Sequence, residues 1–176
     1  NMLNTKYIIT SQENAGAIAQ RNPFANGNAW LVEDLIYVKD GDAEIRALDT
    51  LNNKKYAVAQ EVYKKDIDGK MQWENRDTDA YIDLISHKSD ELVYTYHSNS
   101  PQVAVFSEQY YPYGWKVYVD DTPAEYFKVD YLLRGMQLDK GEHEIRFVFE
   151  PEVVKTGTSI SLISSLLFVL ASLGLG

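Results

Sequence analysis

The chain of 176 residues carries 26 acidic and 17 basic side chains, which gives a formal net charge of −9. Such an acidic surface repels the phosphate backbone of nucleic acids and argues against nucleic-acid binding. The chain has no cysteine, which excludes disulfides and thiolate metal sites. Hydrophobic residues make up 45% and aromatic residues 12%, with 13 tyrosines, which favours a folded, strand-rich domain over disorder.

The first 65 residues predict a small α+β portion. Residues 6–10 alternate as a short strand, and residues 29–39 predict one long strand after a turn-rich link. A short helix follows this strand, with Asp42 as its N-cap residue. Residues 56–62 then resume the alternating pattern of a strand.

The stretch from residue 79 to residue 155 predicts a β-sandwich. It follows a polar segment in which Asp68 and Gly69 are typical of a hairpin turn. Short runs of alternating polarity recur at a spacing of roughly 8–12 residues, which is typical of a sandwich. These runs cover residues 80–86, 91–97, 102–108, 115–119, 124–129, 133–138 and 142–150. The predicted fold class is therefore mainly β: an antiparallel, jelly-roll-like β-sandwich with an α+β N-terminal part, one short helix and a C-terminal apolar helix.

The C-terminal residues 156–176 contain no charged side chain. A bilayer-spanning helix needs about 20 mostly apolar residues, so this segment predicts the start of a transmembrane helix after a domain that covers residues 1–155. Two alternatives stay open, a buried core helix and a face that pairs two copies of the chain. In isolation, we expect the segment to fold as a helix and to pack against protein.

Residues that carry catalysis or bind metals form no familiar motif in this chain. The three histidines, His87, His97 and His143, do not occur in a metal-ligand spacing. The neighbouring acidic residues are more typical of turns than of an acid–base pair; they are Asp77, Asp79, Asp120 and Asp121. No nucleophile elbow and no phosphate-binding glycine loop is present. The sequence therefore predicts no catalytic residue, no metal site and no cofactor within this chain.

An aromatic cluster stands out, with four rings within six residues between two predicted strands. Aromatic faces beside carboxylates hold sugars by stacking, while acceptor oxygens bind the hydroxyl groups. The same rings would also suit the plug at one end of the sandwich or the contact with a neighbouring domain. The sugar hypothesis gives a candidate glycan-binding set that consists of Glu108, Tyr110, Tyr111, Tyr113, Trp115, Asp121 and Arg134.

Blocks along the whole chain resemble YfhO-type bacterial membrane proteins, in the version typical of Bacteroidetes-type bacteria. They include LNTKYII from Leu3, FSEQYYPYGW from Phe106 and GEHEIRFVFEP from Gly141. In that family, similar blocks precede a final transmembrane helix. Asp121 stands where the family usually has glycine, which predicts a turn wider than a two-residue hairpin. Asp130 stands where the family tends to have asparagine.

The resemblance implies a large polytopic parent that is similar to glycosyltransferases using lipid-linked sugars and decorating the cell envelope. The catalytic carboxylate of such an enzyme is expected outside this chain. This chain would then be a non-catalytic accessory domain on the extracytoplasmic (periplasmic) side of the bacterial cytoplasmic membrane. Its expected partners are the membrane through residues 156–176, the other membrane helices of the parent and an envelope glycan. The alternatives are a carbohydrate-binding module that uses the aromatic cluster and a structural or dimerisation domain.

Overall fold

A computed structural model of the chain describes residues 1–12, 16–67 and 77–174. The predicted turn at Asp68 and Gly69 lies outside these ranges. The strands are β1 (Tyr7–Gln12), β2 (Gly16–Arg21), β3 (Ala29–Val32), β4 (Asp34–Val38), β5 (Tyr56–Gln60), β6 (Tyr81–His87), β7 (Glu91–Ser98), β8 (Gln102–Gln109), β9 (Trp115–Val119), β10 (Thr122–Ala124), β11 (Phe127–Val129), β12 (Leu133–Leu138) and β13 (Gly141–Phe149). The α-helices are α1 (Gly41–Leu48), α2 (Lys64–Ile67) and α3 (Glu152–Gly174).

The strands form two large sheets and one separate ribbon. One sheet has the order β10-β9-β13-β7-β6, and the other has the order β3-β8-β12-β11-β5-β4. The pairs within them are antiparallel except for β4 and β5, which are parallel and are joined through α1. The ribbon consists of β1 and β2 alone. The prediction of a mainly β, antiparallel sandwich with an α+β N-terminal part is confirmed.

The six-stranded sheet is buried on both faces because its central strands are apolar on both sides. In β8, Ala104 and Phe106 face the five-stranded sheet, whereas Val103 and Val105 face the opposite side. The core between the sheets consists of Ile82, Leu92, Tyr94, Tyr96, Ala104, Phe106, Val117, Met136, Leu138, Ile145 and Phe147. The second core consists of Trp30, Val32, Leu35, Ala57, Ala59, Ile67, Val103, Val105, Val129 and Leu133.

The predicted long strand over residues 29–39 is wrong, because the chain breaks at Glu33 into β3 and β4. These two consecutive strands lie at opposite edges of the six-stranded sheet, so the sheet curls until its edges meet at Glu33. The Glu33 amide donates a hydrogen bond to the Lys55 carbonyl over 2.6 Å. The Glu33 carboxylate also lies 3.2 Å from the Lys55 ammonium. These contacts stabilise the break between the two strands. The alternation of residues along a strand does not predict where this break falls.

The predicted N-cap of α1 is wrong by two residues. Asp40 has the extended backbone of a cap residue, and its side chain accepts a hydrogen bond from the Ala43 amide over 2.9 Å. Asp42 lies in the first turn, where its negative charge interacts favourably with the helix dipole. The fully buried side chain of this helix is the carboxylate of Glu44.

The expected wide turn between β9 and β10 is also wrong. Val119 pairs directly with Thr122, so Asp120 and Asp121 form a two-residue hairpin with φ values of 49° and 62°. Aspartate tolerates this left-handed backbone better than most residues. The Asp120 carboxylate accepts a hydrogen bond from the Glu144 amide over 2.9 Å, which fixes the turn against β13. The prediction that these two acids are turn residues is confirmed.

Helix α3 begins at Glu152, directly after β13, and its apolar side chains are exposed. Leu167 is 61% exposed and Phe168 is 76% exposed, so the expectation that this segment packs against protein is wrong. None of the helices formed by the described residues combines the length and the hydropathy that a bilayer-spanning segment needs. The transmembrane start at residues 156–176 and the domain boundary at residue 155 stay predictions.

Two buried carboxylates meet beneath the turn that joins β11 to β12. Asp130 and Glu44 are both fully buried. Asp130 Oδ1 accepts a hydrogen bond from the Val58 amide over 2.8 Å, while its Oδ2 has no hydrogen-bond partner among the described residues. Glu44 accepts hydrogen bonds from the Tyr131 amide over 2.8 Å and from the Gln60 amide group over 2.9 Å. Burial, together with the nearby Glu44 charge, raises the pKa of Asp130 to about 7.

We predict that Asp130→Asn stabilises the protein at pH 8 by about 1–3 kcal/mol and leaves its stability nearly unchanged at pH 4. Because the folded-state pKa of Asp130 is raised, the folded chain holds a proton between pH 3.8 and about 7 that the unfolded chain has lost. The contribution of this acid to stability therefore falls as the pH rises through that window. Urea unfolding at both pH values measures the difference. The exposed Asp83→Asn is the control, and an equal effect of Asp130→Asn at both pH values would contradict the prediction.

Candidate functional site

Arg134 is the centre of the candidate site and is only 1% exposed. It lies on β12 immediately after a register shift between Leu133 and Arg134, where the ladder with β8 is irregular. Beyond that shift, Arg134 pairs with Phe106 and shares its face with Met136 and Leu138, which belong to the core between the sheets. Alternation along β12 thus points this guanidinium into an otherwise apolar core.

Aromatic rings surround this guanidinium. Its Cζ atom lies 4.4 Å from the ring centroid of Trp115, 5.0 Å from that of Phe147 and 5.9 Å from that of Tyr126. Arg134 Nε donates a hydrogen bond to the Gln109 carbonyl over 2.9 Å, whereas Nη1 has no hydrogen-bond partner among the described residues. Burial lowers the pKa of Arg134. The charge is therefore held by ring faces and one carbonyl group.

Glu108 lies near the buried arginine on the same face of β8 as Phe106. It is half-buried, and its negative charge raises the pKa of Arg134, against the larger opposite effect of burial. The same charge acts on Tyr94, whose pKa is raised mainly by burial. The Tyr94 hydroxyl is buried and has no hydrogen-bond partner among the described residues. Arg134 and Tyr94 thus present two unsatisfied polar groups within one part of the core.

Tyr110 and Trp115 serve the body of the domain. Tyr110 is half-buried and packs edge-on against Tyr126, with ring centroids 5.4 Å apart. The Tyr126 hydroxyl donates to the Tyr111 carbonyl over 3.0 Å and lies 3.2 Å from the Trp115 carbonyl. The ring of Trp115 is tilted against Phe149, with centroids 5.3 Å apart. These contacts fix the segment between β8 and β9.

Tyr111 and Tyr113 occupy a different environment, on the outer surface of this segment. Tyr111 is 46% exposed and Tyr113 is 80% exposed, and their rings meet edge-to-face with centroids 5.7 Å apart. Between them and the core lies Gly114, where a β-carbon would overlap the ring of Phe149. The predicted aromatic cluster therefore splits into two supporting rings and two exposed rings.

Asp121 does not join the other members of the predicted glycan-binding set. The length of β9 separates it from Trp115, and a strand rises about 3.3 Å per residue, so the four residue steps from Trp115 to Val119 alone span roughly 13 Å. The Asp121 carboxylate instead accepts a hydrogen bond from Arg146 Nη2 over 2.8 Å. The structure brings together Glu108, Tyr110, Trp115 and Arg134 in one region and leaves Asp121 at the opposite end of the strand.

Sequence reasoning missed Tyr126 and Phe147 as members of the arginine site. Alternation along the strand predicted over residues 142–150 places Phe147 on one face, but it does not identify the cation that Phe147 contacts. Tyr126 lies inside the strand predicted over residues 124–129, but this prediction is wrong because β10 ends at Ala124 and β11 begins at Phe127, so alternation does not place its ring. Tyr126 also lines a groove of about 1010 Å³ that reaches Tyr63, Phe127 and His143.

Two of the three histidines, His97 and His143, lie beside carboxylates of the domain. His143 Nδ1 lies 2.6 Å from Asp120 Oδ2, and this hydrogen bond raises the pKa of His143. His97 Nδ1 lies 3.7 Å from Glu142 Oε1. Within the three described ranges, no group of three or more histidine, cysteine, aspartate or glutamate side chains is placed to hold a metal ion.

The fold and the site define a two-sheet β domain that is built around a buried arginine and extended by an exposed apolar helix. The family model described as "Bacterial membrane protein YfhO" matches residues 45–161. The chain therefore belongs to this family of bacterial membrane proteins.

The "Uncharacterized protein YfhO" of Bacillus subtilis (strain 168) is similar, with 28% identity over 87 residues that cover 49% of this chain and 10% of the relative. The chain thus matches about a tenth of the length of that curated relative. No solved structure gives a significant match.

We predict that Arg134→Lys lowers the free energy of unfolding by about 2–3 kcal/mol. A lysine ammonium lacks the planar face that stacks on Trp115 and lacks the Nε–H that binds the Gln109 carbonyl. Chemical denaturation measures the loss, with the exposed Arg46→Lys on α1 as the matched control. Equal stability of Arg134→Lys and the unmodified protein would show that the stacking does not stabilise the fold.

Proposed function

We propose that this chain is a non-catalytic, extracytoplasmic accessory domain of a polytopic, glycosyltransferase-like membrane protein. The parent would resemble proteins that add sugars to the cell envelope. Membership of a family of bacterial membrane proteins supports the link to a membrane. In this role the domain holds a position next to the membrane part and offers its surface to the parent or to an envelope glycan.

The observation that carries the proposal is the character of α3. Its side chains are apolar and exposed over several turns, and it carries no charge from residue 156 onward. Three of its serines donate hydrogen bonds within the helix: Ser164 to the Ile160 carbonyl over 2.8 Å, Ser165 to the Ser161 carbonyl over 2.8 Å, and Ser172 to the Val169 carbonyl over 2.7 Å. This arrangement suits an environment that offers no water, since each polar group then needs an internal partner. A dimerisation helix is the alternative use of the same surface.

The roles of the acidic side chains support an accessory function. Asp77 accepts a hydrogen bond from the Asn99 amide, and Asp120 accepts one from the Glu144 amide. Glu44 accepts one from the Tyr131 amide. Each of these carboxylates holds a turn or a loop in place, which is a structural use of groups that also serve acid–base chemistry elsewhere.

We expect the domain to be accessible from outside the cytoplasmic membrane. In the full-length parent, a cysteine at the exposed Glu142 should react with a membrane-impermeant maleimide in intact spheroplasts. A known cytoplasmic thiol serves as the control and should react only after permeabilisation. Labelling of Glu142→Cys only after permeabilisation would place the domain on the cytoplasmic side and overturn the proposal.

The exposed Tyr111 and Tyr113 favour a second candidate function, glycan binding. Two rings at an angle, both open to solvent, suit stacking on the C–H faces of a sugar. If they form such a site, Tyr113→Ala should weaken binding of an envelope oligosaccharide by about tenfold in a calorimetric titration. Tyr81→Ala, at a ring on β6 that is 46% exposed like that of Tyr111, is the control. Absence of binding by the unmodified chain would leave only the accessory role.

A further inference from the structure

The ribbon of β1 and β2 exposes apolar side chains on both of its faces. Tyr7 is 62% exposed and Ile9 is 73% exposed on one face, while Ile8 at 48% and Ile18 at 36% lie on the other. All six residues of β2 are exposed. An isolated two-stranded hairpin is marginally stable in water at best, and a contiguous exposed apolar surface usually marks an interface. We therefore expect both faces of the ribbon to contact a partner outside the described residues.

Two cationic side chains lie at the end of the ribbon where β1 begins and β2 ends, which we call its base. Lys6 and Arg21 line a cavity of about 580 Å³ together with Asn4, Tyr7 and Asn22. Tyr7 pairs directly with Arg21 across the ribbon, and the Asn22 amide donates to the Lys6 carbonyl over 2.8 Å. The base is therefore held in a fixed register.

These two cations belong to a chain that is acidic as a whole. The net charge is −9, yet among the described residues neither Lys6 nor Arg21 has an ion-pair partner. The Asn22 side chain, which is 8% exposed, donates to the Thr5 carbonyl over 2.9 Å and anchors the cavity wall. Exposed cations that remain unpaired in an acidic protein are available to an external anion.

The exposed isoleucines of the ribbon and the neighbouring cations match the composition of a segment at a lipid interface. Apolar side chains enter the boundary between headgroups and acyl chains, while Lys and Arg at the edge contact lipid phosphates. We propose that the β1–β2 ribbon is a membrane-contacting element, with Ile8, Ile9 and Ile18 entering the lipid interface and with Lys6 and Arg21 binding lipid phosphates. This proposal rests on the membrane location in the proposed function and adds a contact distinct from α3.

The test places a fluorescent probe on the ribbon of the full chain. Because the chain has no cysteine, Ile9→Cys gives a unique site for an environment-sensitive dye. Val62→Cys, at a 70% exposed residue of the body, is the matched control, and Leu167→Cys reports separately on α3. Vesicles of phosphatidylcholine with phosphatidylglycerol should shift the emission at Ile9 to the blue and leave the emission at Val62 unchanged.

The phosphate contacts are tested by reversing the two charges. Lys6→Glu with Arg21→Glu should raise the lipid concentration for half of the Ile9 response by about thirtyfold, because each surface cation contributes roughly fivefold to binding of an anionic membrane. Lys54→Glu with Lys140→Glu has the same net charge and should have a smaller effect. Vesicles of phosphatidylcholine alone should also give a weaker response at Ile9.

The outcomes separate the two proposals. A response at Leu167 without a response at Ile9 would overturn the ribbon contact and leave the membrane role of α3 intact; a protein segment would then cover the ribbon. No response at either position would overturn both. A response at Ile9 that the charge reversal does not weaken would overturn the assignment of Lys6 and Arg21 as phosphate-binding residues.

Discussion

The packing of the two sheets depends on one buried cation. Arg134 enters the core from β12 and contacts Trp115 of β9 and Phe147 of β13, so it connects the six-stranded sheet to the five-stranded sheet. Removal of a guanidinium from water is costly, and here ring faces and the Gln109 carbonyl offset part of that cost. The interaction needs several rings in fixed positions at once. The contact of Trp115 with Phe149 and the hydrogen-bond distance of Tyr126 from the Trp115 carbonyl help to hold these rings in place.

The need for several rings around Arg134 also explains why the aromatic segment between β8 and β9 does not form a single exposed surface. The rings that reach the arginine are committed to the core, and Gly114 lets the chain pass over Phe149 without a clash. Only Tyr111 and Tyr113 remain turned outward. Acidic side chains are also used within the fold, because Asp120 and Glu44 accept hydrogen bonds from backbone amides. A domain in which charge and aromatic area mainly hold the fold is suited to a positioning role.

The strands were predictable where one face is buried, because alternation then follows from the pleat; β7 and β13 are examples. The break at Glu33 was not predictable from the sequence. The residues of β3 and of β4 both alternate, and only the curl of the sheet separates the two strands. The cap at Asp40 and the turn at Asp120 depend on hydrogen bonds to specific amides. The site was partly predictable: the aromatic run and Arg134 were identified, but the rings that contact the cation come from three separate parts of the chain, and sequence does not show their packing.

The acidic body of the domain favours contact with water, whereas the exposed apolar side chains of α3 and of the ribbon favour an apolar environment. A net charge of −9 keeps the body away from anionic lipid headgroups, so any membrane contact must be local. Two elements meet that condition, since α3 is uncharged beyond residue 155 and the ribbon combines isoleucines with Lys6 and Arg21. Contacts at two points restrict rotation of a domain more than a single helix does. In the proposed arrangement, the acidic surface between these two contacts stays in water.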